Sequence, residues 1–397
     1  MRKCGLLVGL TVMLGWGTAW GQLDSANREL IQMGIPQQLN GAAPFSGYAY
    51  YYLNEPNFFA TNVTLRLAFA GVYADTETGF VGLLGPHTDV GVGLAGGGFA
   101  DDYYEFQRGR YIADQSFYGH NMEGSVSVYH TFNPRGQIPL YGVFRIREHY
   151  SLYQRDDTSP KFTLPADHST IAWRAGLRWG GREPLLLPNA AMELSAWYEG
   201  QYRTGSGYYG YNGDRVLNQT TDLYWARALL RYTFPDSNSF SVNLTFGGSG
   251  NVDRFSAYRL GGEMFLDSEF PLVIPGYIQQ ELSARDFVCL RGKYTFTLDP
   301  GRHWSITPGG TIAAMDYAPG LSQPGHFNSG LGLNVGYASH SGVWQALAGY
   351  GYGFEAIRSG GRGGQDIYVM LQIDLWAHHP GSRSKLDNAT DFLRSHF

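Results

Sequence analysis

Only two cysteines, Cys4 and Cys289, occur in the 397 residues, and charge is sparse at 16% of the chain. Cys4 lies in an N-terminal leader described below, so the mature chain keeps Cys289 alone and an intramolecular disulfide is excluded. The net charge of −5 provides none of the basic excess that a nucleic-acid partner demands, and none is expected. Beyond the leader there is no run of about 18 apolar residues, which excludes a transmembrane helix. After residue 40 the chain shows no linker, low-complexity tract or change of composition. No spacing of His, Cys and acidic residues suggests a metal site. The glycine run Gly360–Gly364 precedes no helical pattern, so it is a flexible loop tip and not a phosphate cradle. No cofactor is expected.

What the chain has in quantity is glycine (54), tyrosine (28), phenylalanine (23) and tryptophan (9). It opens with "MRKCGLLVGLTVMLGWGTAWGQ". Arg2 and Lys3 form a basic head, residues 5–17 an apolar stretch, and Ala19 and Gly21 stand at the two positions that a signal peptidase reads. Residues 1–21 are read as a secretory signal peptide, with the mature chain starting near Gln22. Cys4 precedes the apolar stretch and so is not a lipoprotein cysteine. A Gly- and Tyr-rich exported chain of this kind is either a large secreted β protein or an outer-membrane barrel.

Periodicity decides between them. Val63, Leu65, Leu67 and Phe69 alternate with Asn62, Thr64, Arg66 and Ala68. Ile367, Val369, Leu371 and Ile373 alternate with Asp366, Tyr368, Met370 and Gln372. The same period of two runs through 88–99, 123–132, 139–153, 168–180, 190–203, 221–234, 238–246, 287–298, 327–339 and 343–355. Strands of soluble sandwiches average about five or six residues. Most of these run longer, near the roughly 9–11 residues that cross a bilayer at a tilt. Aromatic residues such as Trp179, Tyr202, Phe234, Trp304, Tyr337 and Trp376 sit near segment ends, as interfacial girdles do. An open sheet edge would be unsatisfied in lipid, so the strands must close. From residue 100 onward, long and short connections alternate, the pattern of external loops and periplasmic turns. Adding strands at 45–53 and 61–73 gives an all-β, transmembrane antiparallel β-barrel of about 14 strands, in a range of 12–16, with both ends periplasmic. The expected organisation is a periplasmic lead-in over 22–40, an outer-membrane barrel over 41–376 and a periplasmic tail over 377–397, polar and able to hold a short helix from Lys385. There is no room for a soluble domain ahead of the barrel.

One long connection is chemically unusual. "RFSAYRLGGEMFLDSEFPLVIPGYIQQELSAR" (254–285) has no sustained period, few charges and many glycine and aromatic residues. Such a loop is poorly suited to water but fits a lumen, where its backbone groups can pair with polar wall side chains. "YRLGG", then "IPGY", then "ELSAR" and the strand "DFVCLRGKYTF" resemble the hallmark of the outer-membrane assembly and translocation superfamily, also called bacterial surface antigen barrels. That superfamily includes the Bam and Tam assembly barrels and the two-partner secretion transporters. "SGLGLNVGYASHSGVWQALAGYGYGFE" is similar to its penultimate hairpin, and "QDIYVMLQIDLW" to its closing strand. The resemblance covers about 251–376 and implies a loop folded into the lumen, with Arg259, Leu260, Gly261, Gly262, Pro275, Gly276 and Tyr277 as its motif. The family's motif arginine is replaced here by Pro275. The acidic wall residue with which that arginine pairs corresponds to Asp316, with Arg254 and Arg259 as substitute cations. The chain looks like a lone-barrel branch without POTRA domains. The resemblance implies a role in assembly or translocation of a protein or lipid client, with outer-membrane lipid and a separate periplasmic protein as partners.

The inward faces carry Arg66, Arg145, Arg147, Arg174, Arg178, Arg227, Arg231, Arg291 and Lys293, against fewer acids: Asp89, Glu193, Glu199, Asp366 and Asp374. This face is read as a wall network pinning the loop through Asp267, Glu269 and Glu281, or as the lining of an anion-biased, porin-like pore. No enzyme is expected. His168-Ser169 and His340-Ser341 are sequence neighbours and point to opposite faces. Asp101-Asp102 with His120 fits a rim protease only loosely.

Overall fold

The computed structural model describes residues 23–181, 189–262, 272–321 and 325–376. The expected signal peptide over 1–21, the expected tail over 377–397, and the loop residues Asp267 and Glu269 lie outside the described residues.

Sixteen long strands form one closed, antiparallel wall. The first eight are β1 (Arg28–Gln38), β2 (Tyr48–Pro56), β3 (Val63–Phe69), β4 (Tyr73–Phe80), β5 (Thr88–Gly97), β6 (Tyr118–Thr131), β7 (Leu140–Gln154) and β8 (His168–Gly181). The rest are β9 (Ala190–Arg203), β10 (Thr220–Thr233), β11 (Ser239–Gly250), β12 (Leu282–Thr297), β13 (Trp304–Tyr317), β14 (Phe327–Ala338), β15 (Trp344–Arg358) and β16 (Gly361–Asp374). Each pairs with its sequence neighbour, and β16 closes on β1 from Leu30↔Asp374 to Gln38↔Asp366. Among the described residues no helix is long and apolar enough to cross a membrane.

The wall follows the predicted alternation. On β7, Phe144 and Ile146 face outward while Arg145 between them is buried inside. Two strands were not anticipated. Arg28–Gln38, which the sequence reading places in the lead-in, is the first wall strand. Gly34 and Pro36 interrupt its pattern, and its partner is the most distant strand in the chain. The 61–73 segment ends at Phe69, and the chain reverses over 70–72 into β4. Ala70 N–H donates to the Tyr73 carbonyl (2.8 Å), a reversal so tight that the alternation reads through it. Both additions repair the loop series. The connections 98–117, 155–167, 204–219 and 251–281 now share one end of the barrel, together with the tight turns 70–72 and 359–360, while 57–62, 81–87, 132–139, 234–238, 298–303 and 339–343 share the other with the ends of the wall at Arg28 and Asp374.

At the external end, the long loops pack together as a cap. Phe162–Thr163, Gly207–Tyr211 and Arg215–Leu217 make a small sheet above the wall. Tyr103, Phe117, Phe162, Tyr209 and Leu217 are buried together there. Deeper in the lumen, the Trp197 indole lies flat across Gly176, its register partner on β8, and stacks beside Trp225 at 6.4 Å. A side chain at Gly176 would meet that ring directly. Gly176→Val is therefore expected to destabilise the barrel by about 1–3 kcal/mol, the usual cost of overpacking. A lower urea midpoint with altered tryptophan emission would show it, and an unchanged midpoint would contradict the packing.

Candidate functional site

The loop between β11 and β12 does enter the barrel. Its two limbs first zip to each other. Gly262 N–H donates to the Ile278 carbonyl (3.1 Å) and Ile274 N–H to the Gly261 carbonyl (2.7 Å). A Cβ on Gly261 or Gly262 would fall on the Ile278 or Tyr277 carbonyl, so both positions need glycine. The two halves of the sequence motif, "YRLGG" and "IPGY", thus become neighbours. Leu260 and Ile274 are fully buried against Leu282, Phe287, Cys289, Ala313, Met315 and Ala356 on the inner face of β12, β13 and β15.

The turn Ile274–Tyr277 sits in a cradle of wall glycines. Gly330 and Gly332 on β14, Gly351 and Gly353 on β15, and Gly364 on β16 face Pro275, Gly276 and Tyr277. Register pairs Gly330 with Gly353, Gly332 with Gly351, and Gly353 with Gly364, so bare backbone spans three strands. Gly276 itself has φ +82° and lies against the Gly353 nitrogen. The Tyr277 hydroxyl donates to Asn328 Oδ1 (3.0 Å), whose amide donates to the Tyr317 hydroxyl (2.9 Å). The alternating glycines that read in sequence as a barrel hairpin are the seat for the loop.

The electrostatic anchor differs from the expectation. Asp316 points outward at the rim, half exposed, next to Arg285 (3.4 Å) and His326 (3.1 Å). It lies on the outward set of β13, whose inward set is Thr311, Ala313 and Met315, so it cannot be the wall partner of the loop. Arg259 donates to Ser283 Oγ (2.6 Å) and stacks on Tyr103, and Arg254 goes to Glu105 (2.6 Å) in the cap. The anchor is instead Glu281 on the loop with Arg358 on β15, a two-pronged pair at 2.8 Å and 2.8 Å, both side chains buried. Arg358 also reaches the Gly276 carbonyl at 3.4 Å. Compared with the resemblance, the charges have exchanged sides: the acid is on the loop and the arginine on the wall. Arg358 escaped sequence reading because the alternation breaks at a bulge between Gly353 and Ile357.

The other inward arginines mostly pair along the wall. Arg66 meets Asp75 (3.4 Å), Arg145 and Arg147 meet Glu123 (3.3 and 3.2 Å), Arg174 meets Glu199 (2.7 Å), and Arg227 meets Glu193 (2.6 Å). Arg178 stacks on Tyr141, Arg231 is buried, and Arg291 is half-buried on the same face. Asp75, Glu77 and Glu123, missed as inward acids, come largely from the missed strand β4 and from β6. These arginines tie wall to wall; of the three proposed loop acids Glu281 alone is described, and it pairs with Arg358, which was not among the expected basic residues.

Of the groups weighed for catalysis, Asp101 accepts from the Ser151 hydroxyl (2.5 Å) and faces His149 Nε2 (2.7 Å), whose Nδ1 lies beside Glu123 (3.2 Å). No nucleophile faces a base there. His120 Nδ1 accepts from Phe99 N–H (3.1 Å). Asp102, in the cap loop, accepts from Gly119 N–H (2.8 Å) and the Tyr104 hydroxyl (2.9 Å). Burial pushes its carboxyl up to about 7, the Asp101 and Asp156 carboxylates adding to the rise and those two hydrogen bonds opposing it. In the unfolded chain an aspartate ionises near about 4. Between those values the folded cap holds a proton that the unfolded chain releases, so this contribution is full at low pH and is lost as pH rises through about 7. The difference in urea midpoint between the protein and its Asp102→Asn variant should therefore shift against the wild type from pH 5 to pH 8. A pH-independent difference would refute this. Among the described residues, no group of three or more His, Cys, Asp or Glu side chains is placed to hold a metal ion.

No protein-family model matches the sequence, and no curated protein matches it. Solved structures do match in fold. CdiB from Escherichia coli aligns with a TM-score of 0.59 at 12% identity, over 88% of this chain and 63% of that one. CdiB from Acinetobacter baumannii aligns at 0.57 and 12%, over 88% and 60%. BamA from Haemophilus ducreyi lacking POTRA domains 1-3 aligns at 0.55 and 8%, over 88% and 71%. The chain thus spans about 60% of the length of the CdiB structures. Identities this low establish the fold: this is an outer-membrane β-barrel with the architecture of the BamA and CdiB barrels.

Proposed function

We propose that the barrel works in the assembly or translocation of a protein or lipid client at the outer membrane, with a separate periplasmic protein as partner. The observation that carries this reading is the seat of the lumen loop. The loop is held by the last three strands, directly beside the closing seam, because Gly364 and Asp366 on β16 border the turn while the other edge of β16 pairs with β1. Any client that displaced the turn would act on the strand that closes the wall. The likeness in fold to BamA and CdiB supports the same reading.

Depleting the protein and quantifying outer-membrane proteins and outer-leaflet lipid tests it. A change of twofold or more in a subset of either is expected; an unchanged envelope would remove the proposal. The second reading, an anion-biased pore, has the number of arginines on the inner wall in its favour. Against it stand the wall pairs, which offset much of the positive charge. Planar-bilayer recording separates the two. Steady anion-selective current that falls on reversing Arg174, Arg178, Arg227 and Arg231 would favour the pore, and the assembly reading expects no such current.

A further inference from the structure

The end of the barrel that holds the short turns carries an apolar patch. In the turns 57–62 and 81–87, Phe58, Phe59, Val81, Leu83 and Leu84 are between 45% and 71% exposed. Neither turn holds an acid, a lysine or an arginine. Their neighbours at this end are polar: 132–139 holds Arg135, 234–238 holds Asp236, 298–303 holds Asp299 and Arg302, and 339–343 is built on Ser339, His340 and Ser341. The two apolar turns form one surface. Val81 N–H donates to the Asn62 carbonyl (2.8 Å), which joins them, and the Phe58 and Phe59 rings meet edge to face at 5.8 Å. Their main chain is satisfied from within. Phe58 N–H donates to the Val63 carbonyl (2.9 Å), Val63 N–H to the Ala60 carbonyl (3.0 Å) and Gly85 N–H to the Gly82 carbonyl (3.1 Å). Gly82 N–H donates to Asp89 (2.8 Å). Backbone paired in this way can leave water at little cost.

Two observations choose what covers this patch. The first is strand length. β3, with 7 residues, and β4, with 8, are the shortest strands of the wall, whereas roughly 9–11 residues cross a bilayer. At the usual tilt such strands cover roughly 16–20 Å of height, against an apolar band of roughly 25 Å. The turns at their periplasmic ends add apolar side chains where the band falls short. The second is continuity with the lipid-facing wall. Val81 directly follows Phe80, the last outward residue of β4, and the turn 57–62 joins the outward runs of β2 and β3. Glu55, the last outward residue of β2, stands just before that turn and sets its depth at the boundary between headgroups and acyl chains. We propose that the turns 57–62 and 81–87 dip into the periplasmic leaflet of the outer membrane and hold this side of the barrel through contact with phospholipid acyl chains. The contact is independent of whether the barrel handles a client.

Nitroxide accessibility tests it. The full barrel is reconstituted in vesicles of phosphatidylethanolamine and phosphatidylglycerol. One nitroxide at a time is attached through Phe59→Cys, Leu84→Cys, Arg135→Cys or Asp236→Cys, with Cys4→Ser and Cys289→Ala in every variant. Oxygen concentrates in lipid and a neutral nickel chelate in water, so the ratio of their collision rates with the label reports its surroundings. The ratios at 59 and 84 are expected to exceed those at 135 and 236 by about threefold or more. Equal ratios would place the patch in water and overturn the proposal. So would low collision rates with both reagents at 59 and 84, the sign of a face covered by a second copy of the chain. The unsubstituted protein provides a second measurement. A phosphatidylethanolamine with a diazirine near the head of its acyl chain should form adducts at 58–59 and 83–84 and not at 135–136. An absence of adducts from both apolar turns would equally overturn the proposal.

Discussion

Replacing Gly276 with alanine is expected to release the lumen loop from its seat while the barrel remains closed. Two costs combine. A left-handed conformation costs a residue with a Cβ roughly 1–2 kcal/mol, and the φ of +82° at Gly276 demands it. The new Cβ would also land on the Gly353 nitrogen and near the Gly364 carbonyl, both backbone groups of a continuous sheet that cannot step aside. The sum is on the order of 3 kcal/mol or more, among the large single-substitution effects. Cys289 provides the readout. It is buried beneath the loop on the inner face of β12, covered by Leu260 and Ile274 among others. Each roughly 1.4 kcal/mol is a tenfold change in population, so maleimide labelling of Cys289 should accelerate by about a hundredfold in Gly276→Ala. Gly360→Ala is the control, since Gly360 also has positive φ (+85°) but nothing lies within reach of its Cβ. Equal labelling in wild type and Gly276→Ala would show that the seat does not depend on this glycine.

Glu105→Gln is expected to loosen the cap by about 3–5 kcal/mol, the usual penalty for leaving buried charge without its partner. Glu105 is fully buried, and three loops meet at it. Arg215 from 204–219 lies at 3.2 Å and Arg254 from 251–281 at 2.6 Å, with the Tyr103 hydroxyl at 2.5 Å. Burial alone would raise this carboxyl, but the two guanidinium groups hold it below its ordinary value. Neutralising it leaves two cations facing each other in a dry cluster. Limited trypsin digestion should then cut at Arg108, Arg110 or Arg215 in the variant and spare the wild type. Replacing Glu105, Arg215 and Arg254 together by methionine should restore most of the protection, because the uncompensated charge is gone. If the triple variant is as sensitive as Glu105→Gln, the cap is held by something other than this cluster.

The strand pattern, the closed wall and the entry of one long loop into the lumen were all legible in the residues. The reason is that lipid on one side and a polar lumen on the other force a period of two, strand after strand. What escaped was wherever that forcing weakens. β1 carries Gly34 and Pro36, which interrupt its alternation, and β3 and β4 are so short and tightly joined that one pattern covers both. Asp316 was placed by analogy on an inner wall, yet its side of β13 is outward. Arg358 was missed because a bulge shifts the register just before it.

Composition and alternation by themselves therefore determined that this chain is an all-β membrane barrel with a glycine- and aromatic-rich loop folded inward. Only the tertiary structure decided what holds that loop. The seat is made of glycines on three strands that sequence cannot bring together, and the anchor joins Glu281 to Arg358, 77 residues apart. A period of two reports which face a residue is on. It does not report which residue lies across a lumen, because that depends on strand stagger and on where the loop turns back.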